Sequence, residues 1–324
     1  MLALNDKWLW DFWLAQEGST YHLFYLQANK SLGDPELRHW NVCIGHAKSE
    51  DLMHWQTLPD ALAPTLNNLA AADSYTTWTG CVLPHQNTWY MFYTGTSRVD
   101  KGLVQRVCLA QSEDLIHWQK HPANPLVQLD NTWYDGLILD YWHDASFRDP
   151  WVFAHNNQWH MLVTARANVG APDGRGAIGH ATSDNLIDWQ VQKPLFAPGH
   201  FGEMEVPQVC FIQGRYYLFC SVSAKYHSAA QRADPSCVPK TGLKYYLADS
   251  PLGPFTPESS GFLTDSRHSH LYAGRLVQGP SKGEQSPWYF LAFEGYKSAG
   301  QFSGCLIDPI EVLVQPDGHL YLAD

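Results

Sequence analysis

The sequence predicts an all-β protein, a five-bladed β-propeller with no C-terminal β-sandwich, in one unit over residues 1–324. Three observations carry this. Strand-like aromatic runs start at Tyr21, Trp89, Trp159, Arg215 and Trp288. A closing phrase recurs as Ser49-Glu-Asp-Leu-Met-His-Trp55, Ser112-Glu-Asp-Leu-Ile-His-Trp118 and Ser183-Asp-Asn-Leu-Ile-Asp-Trp189, with a degenerate form ending at Phe255; the aromatic ends lie 63, 71 and 66 residues apart. Amphipathic helical periodicity is scarce, which disfavours a TIM barrel of similar length. Units of this length, built of short strands and Gly/Asn turns, read as propeller blades with generous loops.

Taken in order, each of the first three blades has a strand leading into its closing phrase, over residues 42–47, 107–111 and 177–181. The fourth has residues 243–247 before its degenerate phrase. The fifth is the least regular. Residues 268–277 are expected as its inner strand, 288–294 as the next, and 310–314 with 319–322 as the outer ones; a Gly/Ser/Lys-rich hairpin at 279–283 interrupts the pattern. Residues 62–72 are the main helical candidate, short and bounded by proline.

Composition narrows the function. Aromatic content is 14% and charged content 16%, which suits strands and the aromatic clefts on which sugars stack. A net charge of −11 offers no basic stripe to neutralise phosphates, so a nucleic-acid partner is not expected. The seven cysteines are odd in number and form no CxxC pair, which reads as reduced core thiols in a cytoplasmic protein. No membrane span, secretory signal, cofactor motif or phosphate loop is visible. No metal is expected: the two imidazoles of His268-Ser269-His270 read as a sugar-binding or packing feature ahead of half a metal site. The basic loop 225–240 is expected either to cap a cleft or to be solvated. A homo-oligomer is compatible with the sequence, which does not fix the oligomeric state.

The segment Phe147-Arg148-Asp149-Pro150-Trp151 sets an Arg-Asp pair into an apolar run, where a carboxylate is costly to bury unless a cation or ligand stabilises it. Stepping back ten residues from the first four strand runs lands on Asp11, Thr79, Asp149 and Glu205. Three of the four are acidic, at positions that packing alone would make apolar. Inner strands converge on the propeller axis, so Asp11, Asp149 and Glu205 are expected to meet there. Two carboxylates across a sugar ring are what glycosidic cleavage needs, one as nucleophile or base and one as an acid of raised pKa; the third would stabilise the substrate. Neighbours on a strand point to opposite faces, so Arg148 and Asp149 need not pair with each other. Glu203, two residues from Glu205 on the same strand face, is expected to raise the pKa of one of the two.

These residues carry a resemblance. Tyr21-His-Leu-Phe-Tyr25, Gly45-His-Ala-Lys-Ser-Glu-Asp-Leu-Met-His-Trp55, Leu58-Pro-Asp-Ala-Leu-Ala-Pro64, Trp78-Thr-Gly80, Phe92-Tyr-Thr-Gly95 and Phe147-Arg-Asp-Pro150 resemble glycoside hydrolase family 32, the β-fructosidases and invertases. Arg-Asp-Pro is shared with family 68, the levansucrases and inulosucrases. The resemblance implies that Asp11 is a nucleophile forming a covalent fructosyl-enzyme, that Asp149 binds fructose hydroxyls and that Glu205 is the acid/base. It also implies Gln27, Trp40, Trp78 and Arg148 around the sugar, where Trp10, Glu203 and His270 are expected as further substrate-binding residues. Around Asp11 the phrase Trp10-Asp11-Phe12-Trp13 departs from the Asn-Asp-Pro-Asn-Gly of family 32 and is closer to the Trp-Asp-x-Trp of family 68. In length the chain resembles single-propeller family 43 enzymes.

The expectation is a retaining glycoside hydrolase that cleaves β-fructofuranosyl or related furanosyl bonds of a small soluble saccharide. The alternatives are a fructosyltransferase of the same fold, a family 43-like arabinosidase or xylosidase, and a noncatalytic sugar-binding propeller.

Overall fold

The computed structural model describes residues 1–257, 260–281, 286–296 and 300–323. Five antiparallel sheets are arranged as the blades of a propeller, and the strands of each run outward from its inner strand in chain order, apart from one extra strand in the fifth. The inner strands are Lys7–Glu17, Thr76–His85, Phe147–His155, Glu205–Ile212 and Leu271–Gln278. The fifth sheet's extra strand, Phe302–Leu306, pairs with Trp288–Tyr296. Among the described residues no helix is long and apolar enough to cross a membrane.

The closing phrase is a packing device. In blade 2 the Asp114 carboxylate accepts from the backbone N–H groups of Ile116 and His117, as Asp51 and Asn185 do for their own turns. These caps hold the intervening Leu52, Leu115 and Leu186 at φ of 65°, 63° and 68° with their side chains fully buried. The terminal indole then packs edge-on against the preceding blade. Trp118 meets Phe24 and Trp189 meets Phe92, both at 5.6 Å between ring centres. One phrase thus turns the third strand into the outermost one, where the blade is expected to end, and joins the blade to its neighbour.

Two expectations about elements need correction. Residues 62–72 form no helix: Leu62 completes the strand Gln56–Leu62, and beyond it Leu66 and Leu69 are 70% and 61% exposed, so the apolar positions find no core face. The inner strand of blade 5 begins at Leu271 rather than residue 268, because the Asp265 carboxylate caps a 3-10 turn, Ser266–His268, by accepting from Arg267 N–H. The outer strands Ile310–Val314 and Leu320–Leu322 lie close to where they are expected. Residues 282 and 283 of the expected hairpin lie outside the described residues.

Candidate active site

Every inner strand carries one residue too many for its partner. Trp10 pairs with Leu26 and Phe12 with Tyr25, which leaves Asp11 extra; Trp78 pairs with Thr94 and Gly80 with Tyr93, which leaves Thr79. The same shift separates Arg148 from Trp151, Glu205 from Gln208 and Tyr272 from Arg275. A bulge re-aims the side chains beside it, and five at one level make a ring around the axis. Asp149, Val206 and Ala273 hold positive φ there, at 58°, 55° and 48°.

This register corrects the ten-residue offset. Ile212 pairs with Arg215 as His155 pairs with Gln158, so Arg215 corresponds to Gln158 and not to Trp159. The bulge residues are Asp11, Thr79, Asp149, Val206 and Ala273. Glu205 stands one residue earlier, level with Trp10, Trp78, Arg148 and Tyr272.

Positive φ at a β-branched valine costs about 1–3 kcal/mol. Here it turns the Val206 N–H toward blade 3, where it donates to Thr164 Oγ1 at 3.0 Å and Asp149 Oδ2 at 3.3 Å. Thr164 Oγ1 donates to Asp149 Oδ2 at 2.7 Å, and Thr79 Oγ1 donates to Asp11 Oδ2 at 2.6 Å. Burial outweighs these donors, and mutual repulsion adds to the effect on Asp11, so the carboxyls of Asp11 and Asp149 are each pushed up to about 6.

Arg148 ties the site together. Its Nη2 donates to Glu203 Oε1 at 3.0 Å and Glu205 Oε1 at 2.8 Å, and its Nη1 donates to Gln105 Oε1 at 3.1 Å. Its Nε lies 3.6 Å from Asp149 Oδ2, an ion-pair approach that strand alternation argued against and the Asp149 bulge permits. Glu203 precedes the strand instead of sharing a strand face with Glu205, yet reaches the same guanidinium. Tyr272 donates from its hydroxyl to Glu205 Oε2. The two glutamates are driven apart: burial and the Glu203 charge raise Glu205, while Arg148 and His143 overcome burial to hold Glu203 down at about 2.

These groups line a cleft of about 910 Å³ at the axis. The family description "Glycosyl hydrolases family 32 N-terminal domain" matches residues 12–274, beginning one residue after Asp11. The chain belongs to glycosyl hydrolase family 32. Over 186 residues it is 33% identical to a sucrose-6-phosphate hydrolase of Zymomonas mobilis, covering 54% of this chain and 31% of that protein. Over 196 residues it is 32% identical to an insoluble beta-fructofuranosidase isoenzyme of Arabidopsis thaliana, covering 58% and 30%. The matched region therefore spans about a third of these longer relatives. Among solved structures, the inulosucrase from Halalkalicoccus jeotgali aligns with TM-score 0.76 at 21% identity, over 99% of this chain and 90% of that one. The Bombyx mori family 32 beta-fructofuranosidase aligns with TM-score 0.72 at 19% identity, over 99% and 64%. Both likenesses bear on the fold.

In the cleft of this family 32 chain, Trp10, Asp11, Trp40, Trp78, Arg148, Asp149, Glu203, Glu205 and His270 are brought together. Trp40 lies stacked on Tyr75 with ring centres 5.1 Å apart, and Trp78 Nε1 donates to the His39 carbonyl. Gln27 is not brought in: it is 1% exposed, and its amide donates to Asp60 Oδ1 at 2.6 Å within blade 1, outside the cleft wall. Lys225 and Tyr226 of the basic loop do reach the cleft. Among the described residues no group of three or more His, Cys, Asp or Glu is arranged to hold a metal ion, and His268 is bonded to Asp265.

Sequence reading missed Tyr272, Arg38, Gln105, His143 and Asp144, all of which line or buttress the cleft. Tyr272 alone had a usable signal, since it occupies the position of Trp10, Trp78, Arg148 and Glu205 in its own blade. Arg38 reaches the site from the 3-10 helix Pro35–Trp40, its guanidinium 4.1 Å from the Phe302 ring centre and 5.6 Å from that of Trp10.

Proposed function

We propose that this family 32 chain is a retaining β-fructofuranosidase acting on a small soluble saccharide of the sucrose type, with the propeller over residues 1–324 as its catalytic unit. In this reading an ionised Asp11 oxygen attacks the anomeric carbon of the fructosyl unit as Glu205 gives its proton to the departing glycosidic oxygen. Water then attacks the fructosyl-Asp11 ester, Glu205 takes the water's proton, and Asp11 leaves as a carboxylate. Asp149, held by Thr164 and the Val206 N–H, accepts fructose hydroxyls and balances positive charge at the anomeric carbon. Trp10, Trp40 and Trp78 supply faces for the sugar, and His270 a polar group at the rim.

One observation carries the reading: a single cleft holds two desolvated aspartates together with a glutamate gripped by Arg148 and Tyr272, so that acid and nucleophile are kept in separate environments. Asp11, pushed up to about 6, ionises as the pH rises through that value, so activity climbs across it and falls again where Glu205 loses its proton. Free thiols at Cys43, Cys81, Cys108, Cys210, Cys220 and Cys237 support a cytoplasmic setting.

The test is chromatography of products from the protein and its Asp11→Ala variant with sucrose, raffinose, inulin, levan, arabinan and xylan oligosaccharides. Free fructose from the wild type, with turnover down by about 10³-fold or more in the variant, is expected. Longer fructosides would mean transfer, release of arabinose or xylose would redirect the assignment, and no turnover of any substrate would favour a binding protein.

A further inference from the structure

Arg148 is shared. One nitrogen, Nη2, serves Glu203 and Glu205 at 3.0 and 2.8 Å. His143 Nε2 stands 3.5 Å from Glu203 Oε1, the oxygen that Arg148 also holds, and 3.5 Å from Asp144 Oδ2. The result is a chain of polar and charged groups, His143, Glu203, Arg148, Glu205 and Tyr272, running from a half-exposed imidazole to a partly buried phenol. Glu203 is 5% exposed at the cleft wall and is engaged by Arg148 and His143.

Resting on the reading of Glu205 as the proton donor, we propose that Glu203 is a positioning residue: it holds Arg148 jointly with Glu205, so the guanidinium fixes the Glu205 carboxyl in place without committing its whole charge to it. A guanidinium paired with Glu205 alone would stabilise the carboxylate and strip the acid of its proton at a lower pH. Sharing leaves Arg148 as an orienting clamp. It also leaves Arg148 engaged by protein groups on both sides of the acid. Other charged and titratable groups around Glu205 act in the same field: Asp149 and Asp144 from blade 3, Tyr272 from blade 5, and Lys225 with Tyr226 from the capping loop. His143 bears on Glu205 through Glu203, whose charge a protonated imidazole offsets, and through the field it shares with Arg148 and Asp144.

Carbon-13 NMR of protein labelled at the glutamate side-chain carboxyl reads Glu205 directly, its resonance assigned by its loss in Glu205→Gln. In Glu203→Gln the Glu205 midpoint is expected to fall by about one pH unit or more, a tenfold rise in acidity, and the alkaline limb of kcat/KM to fall with it. Glu203→Asp should restore most of the midpoint, and His143→Arg, a permanent cation, should lower it by less than Glu203→Gln does. An unchanged Glu205 midpoint in Glu203→Gln with a raised KM would overturn the proposal and make Glu203 a substrate ligand. If Glu203→Gln does not fold, an unmoved midpoint in His143→Arg overturns it equally. A shifted midpoint in a protein that turns over no fructoside would leave the coupling standing and refute the fructosidase reading alone.

Discussion

Asp149 is 3% exposed and shares its surroundings with Asp11, so its negative charge destabilises the fold that displays it. Its folded pKa of about 6 lies above the ordinary 3.8, so between those values the native state binds the proton that the unfolded chain has released. The penalty is therefore complete above pH 6 and disappears as the pH falls toward 4. Asn tolerates the positive φ at this position and is neutral at every pH. Asp149→Asn should raise unfolding free energy at pH 7.5 by up to about 3 kcal/mol, with little gain at pH 4, while activity collapses. Urea denaturation at the two pH values checks this, and destabilisation of equal size at both would refute it. The same residue shows what sequence could reveal. A carboxylate beside Arg148 in an apolar run is visible in a linear chain, but Thr164 and Val206, which donate to its side chain, and Thr94, which accepts from its backbone N–H, come from three blades and leave no local mark.

The strand pairs of blades 1 and 3 hide a repeated feature of another kind. His22 Nδ1 lies 2.9 Å from His46 Nε2 in blade 1, and His160 Nδ1 lies 3.0 Å from His180 Nε2 in blade 3, at matching places in the second and third strands. The repeat is structural: the rings stack on each other or on Phe24 and fill space between strands. Burial drives His46 down to about 3 and His180 to about 4, with the neighbouring imidazole adding to it. A folded pKa below the ordinary 6.5 means that stability is fully present above pH 6.5 and is lost as the pH falls toward 4. For His46 the loss at pH 4.5 is on the order of 3 kcal/mol. Replacing both rings avoids leaving one nitrogen unpaired, so His22→Leu/His46→Leu should lose that much less stability than wild type between pH 7 and 4.5 in chemical denaturation. An identical loss would show that the acid sensitivity arises elsewhere. At this scale strand runs and closing phrases were legible because alternation and an S-x-D/N-L pattern are local; the one-residue slip at Glu205 was not, because hairpin register is set by which residues pair across Gln213 and Gly214.

Closure of the whole ring brings the first blade against the last. The five sheets share no strand, and the first blade is joined to the last where Leu2 and Leu306 exchange backbone hydrogen bonds of 3.0 and 2.9 Å. Leu2 is 8% exposed against a cluster that includes Leu9, Leu291 and Leu306 from both blades. The Met1 amine also reaches Asp308, but both partners are more than half exposed. Magnitudes separate the two contacts. A buried leucine truncated to alanine costs about 2–5 kcal/mol where the site cannot collapse, whereas an exposed ion pair contributes about 0–1 kcal/mol. Leu2→Ala should therefore lower unfolding free energy by about 2 kcal/mol, near the bottom of that range because the residue sits at the rim, and Asp308→Ala should change it by less than 1 kcal/mol. If apolar burial closes the ring, the order survives at 1 M salt, where the ion pair is screened. If Asp308→Ala proves the more damaging and salt abolishes the difference, the N-terminal charge and not Leu2 holds the first blade against the last.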